Sequence, residues 1–291
     1  MAGWIDRALA LADDDGPVRA AKLTTFQVVF LLVLGTEYWA RAIRHGSDIS
    51  AAYAVDLAAA TVFCVGGLAL ARWRRVAFAG LALSHLFLVW REFPVTGNHA
   101  YFEMLLCVVC ALLDPHERRE RRLLLQSVRW MVVSILFYSG VHKVLYGYYF
   151  RGQYLAYALW METFRPVLRL LLPSAEYERL VAYSRDVGQG PFLVDAPLFV
   201  ATSNGVYVAE MGLALLLLWR PTRIAGVLGA VTMLLAIEAA AREFFFGLVF
   251  ANAIALFLPG EPHRRLLEPV AFILAYLLLV RLGLVPEVIF H

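Results

Sequence analysis

The hydrophobic positions of the chain form long runs that are separated by short polar connections. A transmembrane helix needs about 20 consecutive, mostly apolar residues, and about nine stretches approach or reach that length. They are residues 24–43, 51–71, 76–90, 99–114, 125–147, 199–219, 223–241, 243–258 and 266–285. Unpaired backbone groups are costly in lipid, and the alternation typical of a barrel strand is absent from the sequence. The pattern predicts an all-α, polytopic transmembrane helical bundle that forms a single domain over residues 1–291.

Two stretches fall outside the predicted spans. Residues 1–23 carry acidic side chains where a signal peptide has its apolar core, so we expect a short cytoplasmic arm there. Residues 148–198 form the one long connection, and we expect it to be extracytoplasmic and partly interfacial. Within it, residues 160–173 (WMETFRPVLRLLLP) predict an amphipathic helix that lies in the membrane interface.

Composition supports a membrane protein and excludes several other classes. Hydrophobic residues make up 61% of the chain, whereas soluble domains contain about 45–50% apolar residues. Charged residues make up 17%, compared with about 25% in soluble domains. The formal net charge of +3 is too small to indicate a nucleic-acid partner. The sequence contains no P-loop, Rossmann, HExxH or EF-hand motif, and we expect no metal site.

The basic residues lie in alternate connections and therefore predict an orientation. They occur at Arg72–Arg75, Pro115–Arg122, 219–223 and Pro262–Arg265. The positive-inside rule makes this face cytoplasmic. We expect an integral protein of a bacterial inner (plasma) membrane, with a cytoplasmic N-terminus and an active site toward the extracytoplasmic side.

Ionisable residues within the spans are the first candidates for function. Each costs roughly 2.5–3.5 kcal/mol at the centre of a bilayer on insertion scales. The set is Glu37, Asp56, His85, Glu103, His142, Lys143, Glu210, Glu238 and Arg281. Such residues pair with one another inside the bundle, extend from span ends to the interface, or take part in chemistry.

Lys143 is the strongest single candidate in this set. It lies in FYSGVHKVLYG, near the outer end of the fifth span and directly after His142. A lysine removed from water can serve as a neutral general base. Glu210, in the outer half of the sixth span, is expected to be its counter-ion or a cation ligand. The structural alternative is a lysine that extends to the outer interface, which is unusual because lysine favours the inner side.

Two further features lie in the fourth span. His99, at its outer start, is expected to share the membrane depth of Lys143, and Asn98 is expected to cap the helix. Cys107 and Cys110 are three positions apart and face the same side of the helix. We favour packing over a redox pair for them, because free cysteine behaves as a small apolar residue.

Three stretches resemble the membrane part, called the HTTM domain, of vitamin K-dependent γ-carboxylases. They are NHAYFEMLLCVVCALLD (98–114), FYSGVHKVLYGYYFRGQYL (137–155) and NGVYVAEMGLALLLLWRPTRIAG (204–226). FGLVFANAIALF (246–257) fits the helix that follows them in the family. By the order and spacing of helices the resemblance covers roughly residues 25–285, and it is that of a short, prokaryotic-type homologue.

The resemblance implies a reaction. In the family, the matching lysine deprotonates a vitamin K hydroquinone, and oxygen converts the hydroquinone to a strong base on the way to an epoxide. For this chain the implied cofactor is reduced vitamin K or menaquinol, with oxygen and carbon dioxide as co-substrates. That base removes a γ-proton from glutamate, and the carbanion attacks carbon dioxide. Carried over, Lys143 is the catalytic base and His99 assists it. The residues implied to bind substrate or quinone are Asn98, Tyr101, His142 and Glu210.

The departures from the family leave other functions open. The family's Lys-Lys pair reads His142-Lys143 here, and the printed sequence lacks the segment and the large extracytoplasmic domain that hold the substrate. A glutamate substrate is therefore expected on a short peptide or on a partner protein. The alternatives are a membrane maturation factor for a secreted peptide, and a non-enzymatic scaffold in which Lys143 and Glu210 form a structural ion pair.

Overall fold

The computed structural model describes residues 16–45, 51–93, 98–185 and 192–258, and these residues form helices and turns without any strand. The α-helices are α1 (Gly16–His45), α2 (Ala51–Ala69), α3 (Arg74–Glu92), α4 (Asn98–Leu112), α5 (Arg118–Tyr146), α6 (Gln153–Tyr157), α7 (Arg165–Arg169), α8 (Ser174–Arg185), α9 (Pro197–Leu218), α10 (Arg223–Ala241) and α11 (Phe244–Ala255). Short 3₁₀ turns lie at Ala71–Trp73, Ala158–Trp160, Glu162–Phe164 and Arg220–Thr222. The prediction of an all-helical protein is confirmed for this part of the chain.

Several of these helices are long and apolar enough to cross a membrane. Within the described ranges there are five such segments: Pro17–Ile43, Ala51–Ala69, Arg118–Tyr146, Pro197–Leu218 and Arg220–Ala241. His99–Leu112 and Phe244–Ala255 are apolar but shorter. Each predicted span up to residue 258 coincides with a helix, whereas the last one, 266–285, lies outside the described residues. These apolar helices are those of an integral membrane protein.

The first helix begins before the predicted span. It starts at Gly16, so residues 16–23 of the predicted arm are helical. Lys22 is fully buried, and its amine donates a hydrogen bond to the carbonyl oxygen of Leu258. Arg129 donates in the same way to the carbonyl of Leu256. Both cations satisfy carbonyl groups just beyond the C-terminus of α11, where the helix dipole favours positive charge.

The predicted single helix over residues 160–173 is wrong. The chain forms two 3₁₀ turns and the short α7 there, and α8 begins afterwards at Ser174. Pro166 lies at the start of α7, which is the helical position that proline tolerates, and Pro173 lies between α7 and α8. These short elements enclose a small apolar core formed by Ala156, Leu159, Leu168, Leu172, Leu180, Val194, Ala196 and Phe199.

The chain divides into two compact units, and the boundary falls within α5. The first, called the N-terminal unit, contains the described residues 16–45, 51–93, 98–131 and 245–258, which form α1–α4, the start of α5 and nearly all of α11. The second, called the central unit, contains the described residues between 132 and 244. Its described helices are the remainder of α5 and α6–α10.

Two glycines of α10, Gly226 and Gly229, permit close helix packing in the central unit. A Cβ atom on Gly226 would lie 3.0 Å from the backbone nitrogen of Leu217, and one on Gly229 would lie 2.4 Å from a methyl carbon of Leu213. The backbone of α10 therefore approaches α9 more closely than a larger residue allows.

Candidate functional site

Lys143 and Glu210 form an ion pair between α5 and α9. The Nζ atom of Lys143 lies 2.8 Å from Oε1 and 2.9 Å from Oε2 of Glu210. It also lies 2.7 Å from the hydroxyl oxygen of Ser139, one turn earlier on α5. Ser139 in turn donates a hydrogen bond of 3.1 Å to Oε1 of Glu210. The side chain of Lys143 is 17% exposed and that of Glu210 is 7% exposed, so the lysine remains the more accessible partner.

A glycine one turn before Lys143 lets the two helices approach. A Cβ atom on Gly140 would lie 2.8 Å from the carbonyl oxygen of Tyr207 and 2.6 Å from a side-chain carbon of Met211. Tyr207 precedes Glu210 by three residues, which is close to one helical turn. The contact at Gly140 thus sets the separation of α5 and α9 at the level where their charged side chains meet.

The turn that follows α5 completes the surroundings of Lys143. Gly147, with a φ of 71°, follows the helix, and its N–H donates to the carbonyl of Lys143. The chain then returns so that the ring of Tyr149 lies 5.4 Å from the Lys143 amine, within the range of a cation–π contact. Burial raises the pKa of the Tyr149 phenol above its ordinary value, with smaller contributions from Tyr154 and Glu210. Tyr149 therefore presents a neutral ring to the amine.

Polar residues on α9 hold this turn in place. Ser203 donates a hydrogen bond of 2.7 Å to the carbonyl of Tyr149, and Asn204 donates one of 3.1 Å to the carbonyl of Phe150. Tyr207 donates to the side-chain oxygen of Asn204 at 2.7 Å. We did not single out these residues, or Ser139, from the sequence. The available signal was the spacing of polar residues at positions 203, 204, 207 and 210 of an otherwise apolar helix.

The pair can move a proton without creating net charge. As an ammonium group, Lys143 has three N–H donors, and the two Glu210 oxygens and the Ser139 oxygen provide three acceptors. A proton that passes from lysine to glutamate converts the ion pair into two neutral groups. Both forms avoid the large cost of an unpaired charge away from water.

His142, a predicted site residue of the same unit, does not join this cluster. His142 is exposed, and its ring lies 4.3 Å from the ring of Tyr146. Consecutive helix positions point about 100° apart, which separates His142 from the Lys143 face of α5.

His99 and Tyr101 lie on α4 in the N-terminal unit and are both partly buried. The His99 ring lies 6.1 Å from the ring of Phe246. Asn98 is the first residue of α4, and its side chain lies outside the described residues. The predicted proximity of His99 to Lys143 stays a prediction, because the two residues belong to different units.

Several other ionisable residues of the spans form pairs. Pairing inside the bundle is one of the three interpretations that the sequence allows for such residues. Glu37 binds Arg41 at 2.5 Å, and His85 lies 3.2 Å from Glu103. Arg281 lies outside the described residues. The cysteines Cys64, Cys107 and Cys110 are free and buried, which agrees with a packing role.

Comparisons of the chain with protein-family models, with curated proteins and with solved structures give no significant match. The resemblance to the γ-carboxylase membrane domain therefore rests on the quoted motifs and stays a prediction.

Proposed function

We propose that the chain is a minimal, vitamin K-dependent carboxylase-like membrane enzyme that deprotonates a quinol at Lys143. Through the family resemblance, the proposal extends to oxygenation of the quinol to an epoxide and to carboxylation of a glutamate-type carbon acid. The observation that carries the proposal is the Lys143–Glu210 pair, which places a partly accessible amine beside a carboxylate at the end of a membrane helix. A lysine amine, a carboxylate and the ring of Tyr149 also fit the hydroxyl group and flat ring of a quinol.

The chemistry of the pair gives each residue a role. Lys143 first transfers a proton to Glu210, which leaves a neutral amine beside a neutral carboxyl group. The lone pair of the amine then accepts the hydroxyl proton of the quinol, one O–H bond breaks and one N–H bond forms. The lysine ammonium is again positive and faces the negative oxygen of the substrate. Each stage keeps equal positive and negative charge, which an apolar bundle requires.

The test measures oxygen consumption and quinone epoxide for the protein in nanodiscs that contain menaquinol or reduced vitamin K. Lys143→Ala and Glu210→Gln are expected to lose about 100-fold or more of the turnover, since each removes one member of the acid–base pair. Lys143→Arg is expected to be equally inactive, because a guanidinium keeps the charge but does not become a neutral base.

The matched control is Glu238→Gln on α10. Glu238 is another acid within a membrane helix of the central unit, and both of its carboxyl oxygens lack a hydrogen-bond partner among the described residues. We expect this variant to retain wild-type turnover. A folded wild-type protein that consumes no oxygen with either quinol would refute the proposed reaction.

A second candidate function is a non-enzymatic membrane scaffold, and one observation favours it. All three N–H donors of a Lys143 ammonium already have acceptors, as in a purely structural pair. If the protein is a scaffold, substitutions in the pair change only its stability, and the wild type itself shows no quinol turnover.

A further inference from the structure

The N-terminal unit holds a second group of polar side chains between its first four helices, and all of them except the half-buried Arg41 are buried. Its members are Glu37, Tyr38 and Arg41 on α1, Asp56 on α2, Ser84 and His85 on α3, and Glu103 on α4. They occupy the later parts of α1 and α3 and the second turns of α2 and α4. The short connections α1–α2 and α3–α4 join these same helix ends, so the topology brings the side chains to one level.

Hydrogen bonds connect two carboxyl groups of this cluster through three intervening side chains. Ser84 donates to Oδ1 of Asp56. The Tyr38 hydroxyl lies 3.0 Å from the Ser84 oxygen and 3.3 Å from Nδ1 of His85. Nε2 of His85 then lies 3.2 Å from Oε2 of Glu103. The chain of contacts runs without interruption from Asp56 to Glu103.

A backbone carbonyl fixes the hydrogen positions on His85. The oxygen of Leu81 lies 3.0 Å from Nδ1, and a carbonyl oxygen only accepts hydrogen bonds, so Nδ1 carries a hydrogen. The contact between Nε2 and Glu103 must then contain a second proton, which belongs either to the carboxyl group or to a cationic imidazole. In both cases the pair holds one proton more than a neutral histidine beside an ionised glutamate.

The nearby charges favour this additional proton. On α1, Oε1 of Glu37 binds Arg41, whereas Oε2 of Glu37 and Oε1 of Glu103 are buried without a hydrogen-bond partner in the described structure. Arg41 interacts with both Glu37 and Glu103, so two carboxyl groups share this cation, and an excess of negative charge is costly here. Among the described residues, Tyr53 on α2 also interacts with Arg41, and Cys107 on α4 interacts with Tyr38, with Glu103 and with Cys64 on α2.

We infer that His85 and Glu103 form a proton-binding site inside the membrane and that Tyr38 and Ser84 relay its proton to Asp56. The transfer balances at every step. Glu103 gives a proton to Nε2 of His85, and Nδ1 gives its hydrogen to the Tyr38 oxygen. Tyr38 passes its own hydroxyl proton to Ser84, and Ser84 passes its proton to Asp56. Chains of acidic and histidine side chains perform such transfers in membrane proteins.

The proton-binding site is tested by NMR on the full-length protein in nanodiscs with ¹⁵N-labelled histidine. The nitrogen chemical shifts distinguish the arrangements of the ring hydrogens, and His85→Gln assigns the signal. We expect a hydrogen on Nδ1 near neutral pH, with Nε2 either protonated or accepting a hydrogen bond. A neutral His85 that carries its hydrogen only on Nε2 would overturn the inference, because Glu103 would then be ionised.

The relay is tested by the exchange of the His85 ring hydrogens after transfer into heavy water. Tyr38→Phe removes the hydroxyl that links His85 to Ser84, and we expect exchange to slow by about tenfold or more. Ser84→Ala interrupts the chain at the next link and serves as a second variant, since it removes one oxygen only. Tyr183→Phe, on α8 of the central unit, is the control and should exchange at the wild-type rate.

An unchanged exchange rate in folded Tyr38→Phe or Ser84→Ala would refute the relay. These measurements contain no quinol, so their result is independent of the proposed enzyme activity.

Discussion

At the scale of the residue, Glu210 and Lys143 compensate each other's charge within the bundle. Removal of one leaves the second away from water without compensation, so we expect Glu210→Met to destabilise the protein by about 3 kcal/mol. Replacement of both residues by methionine removes both charges at similar volume, and we expect most of that loss to be recovered. Reversible denaturant unfolding in detergent micelles measures all the variants of the cycle, including Lys143→Met.

The double variant also separates stability from chemistry. If the pair is catalytic, Lys143→Met/Glu210→Met is stable but has no quinol turnover. Additive losses of stability from the two single changes would contradict a direct interaction.

The sequence predicted part of this site, and the part it missed has a physical reason. Lys143 and Glu210 were conspicuous because charge in an apolar run is expensive, and the structure places them in contact. Ser139, Tyr149 and Ser203 gave no such signal, because hydroxyl groups occur in membrane helices at low cost. Their roles depend on which helices pack together, and a single sequence does not contain that information.

At the scale of the element, the close approach of α5 to α9 is the condition for the ion pair. We expect Gly140→Ala to destabilise the protein by about 1–3 kcal/mol, because the new methyl group meets the backbone oxygen of Tyr207. We also expect it to lower quinol turnover, although Lys143 and Glu210 are unchanged. Thermal unfolding and oxygen consumption measure the two effects.

Gly212→Ala is the matched control on α9. A Cβ atom there meets nothing within 4 Å, and alanine favours a helix over glycine by about 1 kcal/mol. This variant should be as stable as the wild type or slightly more stable, with full turnover. Equal effects of the two substitutions would show that helix propensity, and not the α5–α9 contact, determines the result.

The sequence predicted helix boundaries well where a change in hydropathy marks them. It predicted them poorly where the boundary depends on tertiary contacts. The span over residues 223–241 matches α10 at both ends, because its boundaries coincide with changes from apolar to charged residues. The start of α1 was placed too late, since Lys22 is charged and its burial depends on a carbonyl more than 200 residues away in sequence. Residues 160–173 are amphipathic but contain two prolines: Pro166 stands at the start of α7, where a helix begins and does not continue from before, and Pro173 lies between α7 and α8.

At the scale of the whole molecule, the charge pattern of the connections predicts which side of the membrane Lys143 faces. The helix α5 has 29 residues and is therefore about 44 Å long, which exceeds the hydrocarbon thickness of about 30 Å. It begins at Arg118, within the basic segment Pro115–Arg122, and carries Lys143 in its last turn. If the basic end is cytoplasmic, the lysine lies toward the opposite face, where a secreted peptide would be accessible.

Cysteine labelling in intact bacterial cells tests this orientation with little background, because the native cysteines of the chain are buried. His116, before α5, and Asp195, before α9, are both exposed, and the side chain of Asp195 is 93% exposed. We expect a membrane-impermeant maleimide to label Asp195→Cys in intact cells and His116→Cys only after permeabilisation. This result would place the 148–198 connection outside and Lys143 in the outer half of the membrane. The reverse pattern would place Lys143 in the cytoplasmic half, so a carboxylated substrate would have to be modified before export.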